Sequence, residues 1–191
     1  MKVVAFNGSP RKDGNTSRLI NHVFDQLHKE NIETEAIWIS GGKLQGCLGC
    51  LKCFKNKDKK CAVKKDNLNQ YMEKMIQADG IILGSPTYFG SVSAEMKMLI
   101  DRIGLVSRAN DYLLKRKVGA AVIAARRGGA VDAFNTINHL FALQQMIIPC
   151  SIYWNFAYGF AKGEVEKDEE GILTVKTLGE NMAWLLKKIN G

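Results

Sequence analysis

The strongest constraint on the fold is the alternation of short apolar runs with longer segments of helical periodicity. Residues 3–6, 81–83 and 118–124 are continuous apolar runs, the pattern of strands that are covered on both faces of a parallel sheet. Each run is followed by apolar residues spaced three and four positions apart, as in amphipathic helices. Five such strand–helix units in succession predict an α/β domain with three layers and a doubly wound parallel sheet.

The remaining elements give weaker signals. Residues 34–39 are mixed in composition and are predicted to form an edge strand, and residues 152–154 are predicted to form the fifth strand. Cys150 would then begin a buried strand and act as a small core residue. Residues 164–170 are predicted to form an acidic loop before a terminal amphipathic helix. The whole chain, 1–191, is interpreted as a single domain.

Several isolated polar residues in helical segments are interpreted as structural. Asp101 and Arg102 are predicted to form an ion pair at a helix end, with Arg102 near the negative end of the helix dipole. His22 and His28 have no cysteine or carboxylate at metal-ligand spacing in the sequence, so both are predicted to lie on the surface. His139 is likewise predicted to be structural.

Composition narrows the class of protein. The chain has 191 residues, of which 46% are hydrophobic, so it is long enough to bury a substantial core. No apolar run approaches the ~18 residues of a membrane span. Met1 and Lys2 lead directly into a strand-like run without the features of a signal peptide. These observations predict a cytoplasmic protein that does not bind a membrane and whose thiols stay reduced.

Four of the five cysteines lie close together, at Cys47, Cys50, Cys53 and Cys61. Three thiols at successive two-residue gaps, with a fourth slightly farther away, form a ligand pattern typical of an iron–sulfur centre. A tetrathiolate zinc site more often shows two separated Cys-x-x-Cys pairs, and disulfides conflict with the predicted compartment. A motif that binds nothing, or that loses its cluster in air, stays open as an alternative. The segment is interpreted as an insertion at about residues 44–65.

The cysteine segment is strongly basic. Residues 47–65 contain seven lysines against Asp58 alone, a net charge of +6. A charge run of this kind is usually a solvated loop, but it could also offset the negative charge of a thiolate-bound cluster and attract acidic redox partners. Phe54 is the only aromatic residue among these lysines, so the pattern predicts no nucleic-acid binding.

Three loops are expected to meet at the carboxyl edge of the sheet, where doubly wound folds bind ligands. The first loop, residues 9–17, is rich in hydroxyl groups and opens a helix, which is a favourable place for an anion. It lacks the glycine patterns of dinucleotide and nucleoside-triphosphate sites, so a single phosphate is the predicted ligand. Ordinary capping of the helix by Asn15 or Thr16 is the alternative interpretation.

The second and third loops predict a planar ligand. In residues 85–91, Pro86 restricts the backbone, Tyr88 and Phe89 offer aromatic faces, and Gly90 permits a close approach to a ring. Packing of these aromatic rings beneath the loop is the alternative. The third loop, residues 125–129, could set backbone N–H groups or guanidinium charge beside a redox ring.

These motifs together carry a family resemblance. Asn7-Gly8-Ser9-Pro10-Arg11 with Gly14-Asn15-Thr16, then Gly84-Ser85-Pro86-Thr87-Tyr88 and Met96-Lys97-x-x-Ile100-Asp101-Arg102, resemble the flavodoxin-like NADPH-dependent FMN reductases. With the four cysteines added, the chain resembles the iron–sulfur flavoprotein branch of that superfamily. The resemblance implies a five-stranded sheet in the order 2-1-3-4-5, with FMN in each subunit.

The resemblance also implies a set of cofactor-binding residues. The FMN phosphate would bind to Ser9, Arg11, Asn15, Thr16 and Ser17. The isoalloxazine ring would lie against Pro86, Thr87, Tyr88, Phe89 and Gly90, and against the third loop with Arg126, Gly128 and Gly129. A 4Fe–4S cluster would bind to Cys47, Cys50, Cys53 and Cys61, near the flavin of a neighbouring subunit in a homodimer or homotetramer.

The predicted function is that of a flavin-dependent oxidoreductase in which FMN carries the chemistry and no side chain acts as a catalytic residue. Three hypotheses follow. The chain is an iron–sulfur flavoprotein that exchanges electrons with a ferredoxin-like protein, an NAD(P)H-dependent FMN or quinone reductase without a cluster, or a non-enzymatic FMN- or metal-binding protein. The cysteines favour the first hypothesis.

Overall fold

A computed structural model describes all residues, 1–191. Five strands alternate with six α-helices and one 3₁₀ helix. The strands are β1 (Lys2–Asn7), β2 (Glu33–Trp38), β3 (Gly80–Pro86), β4 (Val118–Ala125) and β5 (Phe156–Tyr158). The α-helices are α1 (Asn15–Lys29), α2 (Lys52–Asn56), α3 (Leu68–Gln77), α4 (Ala94–Ala109), α5 (Ala130–Leu143) and α6 (Glu169–Asn190), and the 3₁₀ helix is Glu164–Lys167.

The strands form one parallel sheet in the order β2-β1-β3-β4-β5. This confirms the predicted α/β fold and its strand order. The order reverses at β1 and β3, whose carboxyl ends lie side by side because Asn7 pairs with Gly84. The backbone N–H of Gly8 continues the pairing and donates to the Gly84 carbonyl at 2.8 Å. The loops that leave β1 and β3 therefore start from neighbouring points on the sheet edge.

Two apolar cores cover the sheet, one on each face. Successive strand side chains point to opposite faces, so Val4 and Phe6 lie in the core beneath α3, α4 and α5. Val3 and Ala5 lie in the core beneath α1 and α6. All eight residues of β4 are buried, which agrees with its uninterrupted apolar sequence. None of the helices combines the length and the hydropathy needed to cross a bilayer.

The prediction of the fifth strand is wrong in position. Residues 152–154 are about half exposed, and the strand that pairs with β4 comes later, where Phe156 lies opposite Ile123. Cys150 is exposed in the connecting segment, so it is not the core residue that was predicted. β5 has only three residues and one neighbouring strand, so its own side chains give little periodic signal. The aromatic and β-branched residues just before it carry the stronger strand propensity.

The predicted acidic loop is also structured. It contains the 3₁₀ helix and the start of α6, whose N-cap is Asp168. The Asp168 carboxylate accepts a hydrogen bond from the backbone N–H of Gly171 at 2.9 Å. Carboxylates at this position satisfy free helical N–H groups and interact favourably with the helix dipole. The acidic residues therefore mark a helix start.

The predicted ion pair between Asp101 and Arg102 does not form. Both residues lie inside α4, which continues to Ala109, and neighbouring residues on a helix do not face each other. Asp101 pairs with Lys97 on the exposed side at 2.5 Å. Arg102 is only 1% exposed and pairs instead with Asp66, before α3.

Candidate functional site

A cleft of about 250 Å³ lies at the carboxyl edge of the sheet, where the loops after β1, β3, β4 and β5 converge. Its walls come from residues far apart in the sequence. Eleven residues line it: Ser9, Arg11, Asn15, Thr16, Pro86, Thr87, Tyr88, Ala124, Arg126, Gly159 and Phe160. The cleft contains two arginines and no carboxylate, so its charge suits an anionic ligand.

The loop after β1 is held in shape by its own hydrogen bonds. The Asn7 side chain accepts from the backbone N–H of Ser9 at 2.9 Å and donates to the Lys12 carbonyl at 3.3 Å. The Trp38 indole N–H of β2 donates to the Ser9 carbonyl at 2.7 Å. The Ser9 hydroxyl in turn accepts from the backbone N–H of Arg11 at 3.2 Å. The loop is therefore preorganised before any ligand binds.

The N-terminus of α1 opens into this loop without a side-chain cap. Its N-cap is Gly14, and its first turn contains no acidic residue. Capping by Asn15 or Thr16, the alternative interpretation, is therefore wrong. The buried Thr16 Oγ1 lines the cleft and has no hydrogen-bond partner. Because a buried hydroxyl without a partner is costly, this atom indicates a ligand that would accept a hydrogen bond from it.

The Asn15 side chain ties the first loop to the loop after β5. Its Nδ2 donates to the carbonyls of Gly159 and Ala161, both at 3.0 Å, and its Oδ1 accepts from the Gly163 N–H at 2.7 Å. Arg11 Nη1 also donates to the Phe160 carbonyl at 3.4 Å. The Asn15 amide is thus committed to the chain itself.

Glu164 shapes the same loop from its other side. Its carboxylate accepts from the backbone N–H groups of Phe160 at 2.7 Å and of Ala161 at 2.8 Å. These hydrogen bonds, with Ala161 first and Phe160 second, lower the pKa of Glu164 below its usual value of 4.5. The loop that carries Phe160 to the cleft is therefore supported by an ionised carboxylate.

The loop after β3 ends in a tight turn. Tyr88 and Ser91 exchange two backbone hydrogen bonds of 2.8 and 3.0 Å around Phe89 and Gly90. Both central residues have positive φ, 46° and 75°, as in a type I′ turn. Phe89 stands fully in solvent at the tip, so it does not pack beneath the loop. Behind the turn, Thr87 Oγ1 is buried without a partner.

The loop after β4 packs against that turn at Gly129. This residue has φ of 79°, and a Cβ added to it would lie only 2.7 Å from the Gly90 Cα. Glycine is required here both by conformation and by space. Arg126, at the start of the loop, places its guanidinium 4.6 Å from the centre of the Phe160 ring, a cation–π distance. The loops that follow β3, β4 and β5 are thereby joined around one cleft.

Most of the predicted cofactor-binding residues lie in the cleft wall. Eight of them line it: Ser9, Arg11, Asn15, Thr16, Pro86, Thr87, Tyr88 and Arg126. Five others do not: Ser17, Phe89, Gly90, Gly128 and Gly129. Contact between any of these residues and FMN stays a prediction.

Sequence reasoning missed Ala124, Gly159 and Phe160. Ala124 lies at the end of a strand that was correctly located, so its position at the edge was available from the sequence. Gly159 and Phe160 follow β5, and the signal that would have found them is the correct register of that strand. The misplaced strand put these residues too far from the edge of the sheet.

The four predicted cluster ligands surround a second, much smaller cavity, of about 20 Å³. Cys47, Cys50, Cys53 and Cys61 all line it, together with residues of α4 that include Arg102, Leu105 and Val106. Cys53 lies on the short helix α2, and Cys61 follows it in the chain. Thiols separated by up to fourteen positions are thus gathered against one helix face.

The thiols differ in their environments. Cys47 and Cys50 are exposed, whereas Cys53 and Cys61 are partly buried against the core. Burial raises the pKa of the Cys53 thiol, because the thiolate is poorly solvated there. No three histidine, cysteine or acidic side chains converge closely enough to hold a single metal ion. The arrangement therefore offers four thiols around a cavity and no preformed site for one ion.

Asp66 and Arg102 form a buried ion pair beside these thiols, and each side chain is only 1% exposed. Burial opposes the charge on each group. The hydrogen bonds between them nevertheless lower the pKa of Asp66 and raise that of Arg102. The pair thus remains ionised in the folded protein.

Comparison with known proteins assigns the chain to a flavin-dependent family. The family model of the NADPH-dependent FMN reductases matches residues 1–161. The chain belongs to this family. Membership confirms the predicted resemblance and the expectation of a flavin-dependent oxidoreductase.

Two curated relatives cover nearly the whole chain. An iron–sulfur flavoprotein of Methanocaldococcus jannaschii is 38% identical over 196 aligned residues, with 99% of each chain covered. An iron–sulfur flavoprotein of Methanosarcina thermophila is 32% identical, with 99% of this chain and 97% of the relative covered. Within the FMN reductase family, the chain is therefore similar along its full length to proteins that bear this name.

Solved structures support the fold. RosB, determined with a bound riboflavin-phosphate derivative, superposes with a TM-score of 0.79 at 17% identity and covers 100% of this chain and 80% of its own. A flavodoxin from the domain Archaea superposes with a TM-score of 0.62 at 18% identity, covering 98% and 99%. These similarities confirm the flavodoxin-like architecture of the family member described here.

Proposed function

We propose that this protein is an iron–sulfur flavoprotein that binds FMN in the sheet-edge cleft and a 4Fe–4S cluster on Cys47, Cys50, Cys53 and Cys61. The observation that carries the proposal is the convergence of all four cysteines on one cavity in a flavin-family fold. The similarity to iron–sulfur flavoproteins along the full chain supports it independently. The protein would transfer electrons between a donor and a second acceptor.

The cleft has the chemistry that FMN requires. Arg11, the uncapped N-terminus of α1 and the unpartnered Thr16 hydroxyl would bind the phosphate. Thr87 offers a second unpartnered hydroxyl on the wall formed by the loop after β3. Pro86, Tyr88 and Arg126 would flank the isoalloxazine ring. Bound FMN supplies the redox chemistry, since it exchanges electrons as a pair or one at a time.

The residues of the chain have distinct roles in this proposal. The hydrogen-bonded loop after β1 binds the phosphate without rearrangement, which lowers the entropy cost of binding. The loop after β5, attached to Asn15, forms one wall of the cleft. Arg126 brings positive charge to the ring side and would favour a negatively charged, reduced flavin.

The spacing of the four cysteines favours a multinuclear cluster over one zinc ion. A tetrathiolate zinc site more often shows two separated Cys-x-x-Cys pairs, whereas Cys47, Cys50 and Cys53 follow one another at two-residue gaps. A cluster is a larger body whose irons each take one thiolate, so its ligands can stand farther apart. The exposed lysines around the cavity would offset the negative charge of the thiolates and sulfides.

The donor separates the proposal from its main alternative. An NAD(P)H-dependent FMN or quinone reductase is the activity that the family description favours. A ferredoxin-like donor is favoured by the lysines of residues 47–65, all of which are exposed. Reduction by an acidic ferredoxin should then slow steeply with added salt, because screening weakens electrostatic steering. Reduction by NAD(P)H with little salt dependence would favour the alternative.

Anaerobic purification and analysis of iron, acid-labile sulfide and FMN test the proposal. About four irons and one FMN per chain are expected. Cys50→Ser should remove the iron and keep the flavin, whereas Cys150→Ser, a cysteine outside the cavity, should keep both. Flavin without iron in the unaltered protein would contradict the cluster. FMN that no donor reduces would instead favour a non-enzymatic binding protein.

The oligomeric state and the cellular compartment of the protein are a second part of the proposal. We infer a homodimer or homotetramer in the cytoplasm, in line with the predicted redox state of the thiols. Light scattering of the holoprotein measures the subunit number directly. A monomer that retains full electron transfer would contradict the inferred assembly.

A further inference from the structure

We propose that Arg102 is a positioning residue for the cluster: it holds the Cys61 sulfur and makes the cluster easier to reduce. The inference rests on the proposed function, since it requires a cluster on the four cysteines. It goes further by assigning a role to an arginine that contacts neither the FMN cleft nor solvent. The carboxylate of Asp66, its partner, would have the opposite effect and make the cluster harder to reduce.

Four hydrogen bonds hold the two Nη atoms of Arg102 in place. Nη2 donates to Cys61 Sγ at 3.3 Å and to Asp66 Oδ1 at 3.2 Å. Nη1 donates to the other oxygen of Asp66 and to the Gln45 carbonyl at 3.1 Å. Nε is buried without a partner. One guanidinium therefore links the cysteine segment at both its start and its end to α4.

A purely structural role does not require this side chain. A buried ion pair is costly to form, and apolar residues of similar volume often stabilise a fold equally well. The fork of Arg102 is aimed so that one N–H reaches sulfur while the pair with Asp66 stays bidentate. Hydrogen bonds to ligating sulfur and nearby charge are among the features that set iron–sulfur reduction potentials.

Cys61 is held at more points than the other cysteines. Its backbone N–H donates to Asn69 Oδ1 at 2.8 Å, and its carbonyl accepts from Asn69 Nδ2 at 3.0 Å. With Arg102 on the sulfur, three of its polar groups are fixed. By contrast, the only hydrogen bond to the sulfur of the exposed Cys47 comes from the nearby Gly49 N–H at 3.5 Å. The fourth ligand is thus prepared in advance, and the exposed cysteines have room to adjust.

The sign of the electrostatic effect follows from charge. When the oxidised cluster gains one electron, no covalent bond forms or breaks, and negative charge on the sulfurs increases. The N–H of Arg102 becomes a stronger partner for Cys61 and favours the reduced form. The Asp66 carboxylate repels the added electron and favours the oxidised form. Removing Arg102 should therefore lower the reduction potential of the cluster, and removing the charge of Asp66 should raise it.

The test is an anaerobic redox titration of the cluster, followed by electron paramagnetic resonance, in the FMN-loaded protein. The variants are Arg102→Gln, Arg102→Lys and Asp66→Asn. The matched control is Arg108→Gln, which removes the same charge from an exposed site on the same helix. FMN content checks that each variant is folded.

The two partners are expected to give opposite results. In Arg102→Gln the reduction equilibrium should shift about tenfold toward the oxidised cluster, which is 59 mV lower for one electron. Arg102→Lys should shift it in the same direction by less, with an altered spectrum, because the charge remains but the fork is lost. Asp66→Asn should shift the equilibrium toward the reduced cluster. Arg108→Gln should leave both potential and spectrum unchanged.

Other outcomes overturn the inference. Potentials of the Arg102 variants within twofold of the unaltered protein, or shifts of the same sign for Arg102→Gln and Asp66→Asn, would show that the pair acts through structure alone. Loss of iron from both Arg102 variants with FMN retained would also reject the electrostatic role. Absence of iron from the unaltered protein would instead reject the proposed function, and that measurement comes first.

Discussion

The side chain of Asn15 and the backbone N–H of Gly163 are joined by a 2.7 Å hydrogen bond, although 148 positions separate them in the sequence. The bond connects the first turn of α1 to the loop that follows the last strand. One amide therefore holds both the start of α1, where we propose that the phosphate binds, and the far wall of the cleft. Binding at one loop should therefore depend on the integrity of the other.

Replacing Asn15 tests this connection. Asn15→Ala removes three hydrogen bonds, and at about 0.5–1.5 kcal/mol each the free energy of unfolding should fall by roughly 2 kcal/mol. FMN affinity should fall as well, since the loop with Phe160 loses its attachment. Urea unfolding and flavin fluorescence titration measure the two effects. Unchanged stability with weakened FMN binding would instead mean that Asn15 contacts the phosphate directly.

Two adjacent glycines provide a matched pair. Gly129→Ala forces a Cβ to 2.7 Å from the Gly90 Cα at positive φ, so it should cost about 1–3 kcal/mol of stability and weaken FMN binding. Gly128→Ala has open space around it and no positive φ, so it should change the free energy of unfolding by no more than ~0.5 kcal/mol. Equal losses of stability in the two variants would contradict the packing of Gly129 against Gly90.

The unpartnered hydroxyl of Thr16 predicts an unusual combination of effects. Thr16→Val removes a buried oxygen that bonds to nothing in the chain, so the apoprotein should keep its stability or gain up to ~1 kcal/mol. FMN affinity should nevertheless fall about tenfold, because a hydrogen bond to a charged phosphate is lost. Calorimetric unfolding of the apoprotein and an FMN titration give both values.

A second buried threonine serves as the control for Thr16. The Thr174 hydroxyl donates to the Glu170 carbonyl at 2.8 Å within α6, away from the cleft. Thr174→Val should therefore leave FMN affinity unchanged. If it weakened FMN binding as much as Thr16→Val does, the effect would reflect general destabilisation and not the phosphate site.

Glu164 predicts the pH dependence of the loop over the cleft. Its pKa is lowered in the folded protein, so its contribution to stability is complete above its ordinary value of 4.5. That contribution is lost as the pH falls below 4.5 through the folded pKa. Glu164→Gln should remove this part of the acid dependence, because an amide oxygen accepts the same bonds without titrating.

The measurement for Glu164 is urea unfolding of the apoprotein across the acid range. Glu73→Gln, at an exposed site on α3, is the control and should keep the pH profile of the unaltered protein. An identical acid dependence in the Glu164 variant would show that the loop does not rely on this carboxylate.

The sequence predicted the parts of the fold that rest on continuous apolar runs. β1, β3 and β4 are buried on both faces, and their continuous apolar sequences predict this burial directly. The position of β5 could not be predicted in this way, because a three-residue strand with one neighbour depends on the register that Phe156 adopts opposite Ile123. That contact is tertiary, and no local pattern encodes it.

The residues of the candidate site also fall into those that the local sequence predicts and those that it does not. The loops after β1 and β3 were found because hydroxyl-rich and aromatic residues directly follow recognisable strands. Phe160 was missed because its position depends on the register of β5 and on Asn15, which bonds to the adjacent Gly159 and Ala161 from a distant part of the chain. Arg102 was misjudged because its partner Asp66 is 36 positions away, so no helix-end argument could identify it. Long-range polar contacts are where sequence reasoning failed.

The most direct test of the account is an anaerobic reductive titration of the purified holoprotein that counts the electrons taken up per chain. FMN accepts two electrons and a 4Fe–4S cluster one, so uptake of about three electrons per chain is predicted. The Cys50→Ser protein should take up about two. Two electrons in the unaltered protein, with no difference between it and the variant, would contradict the claim that one chain holds both redox centres.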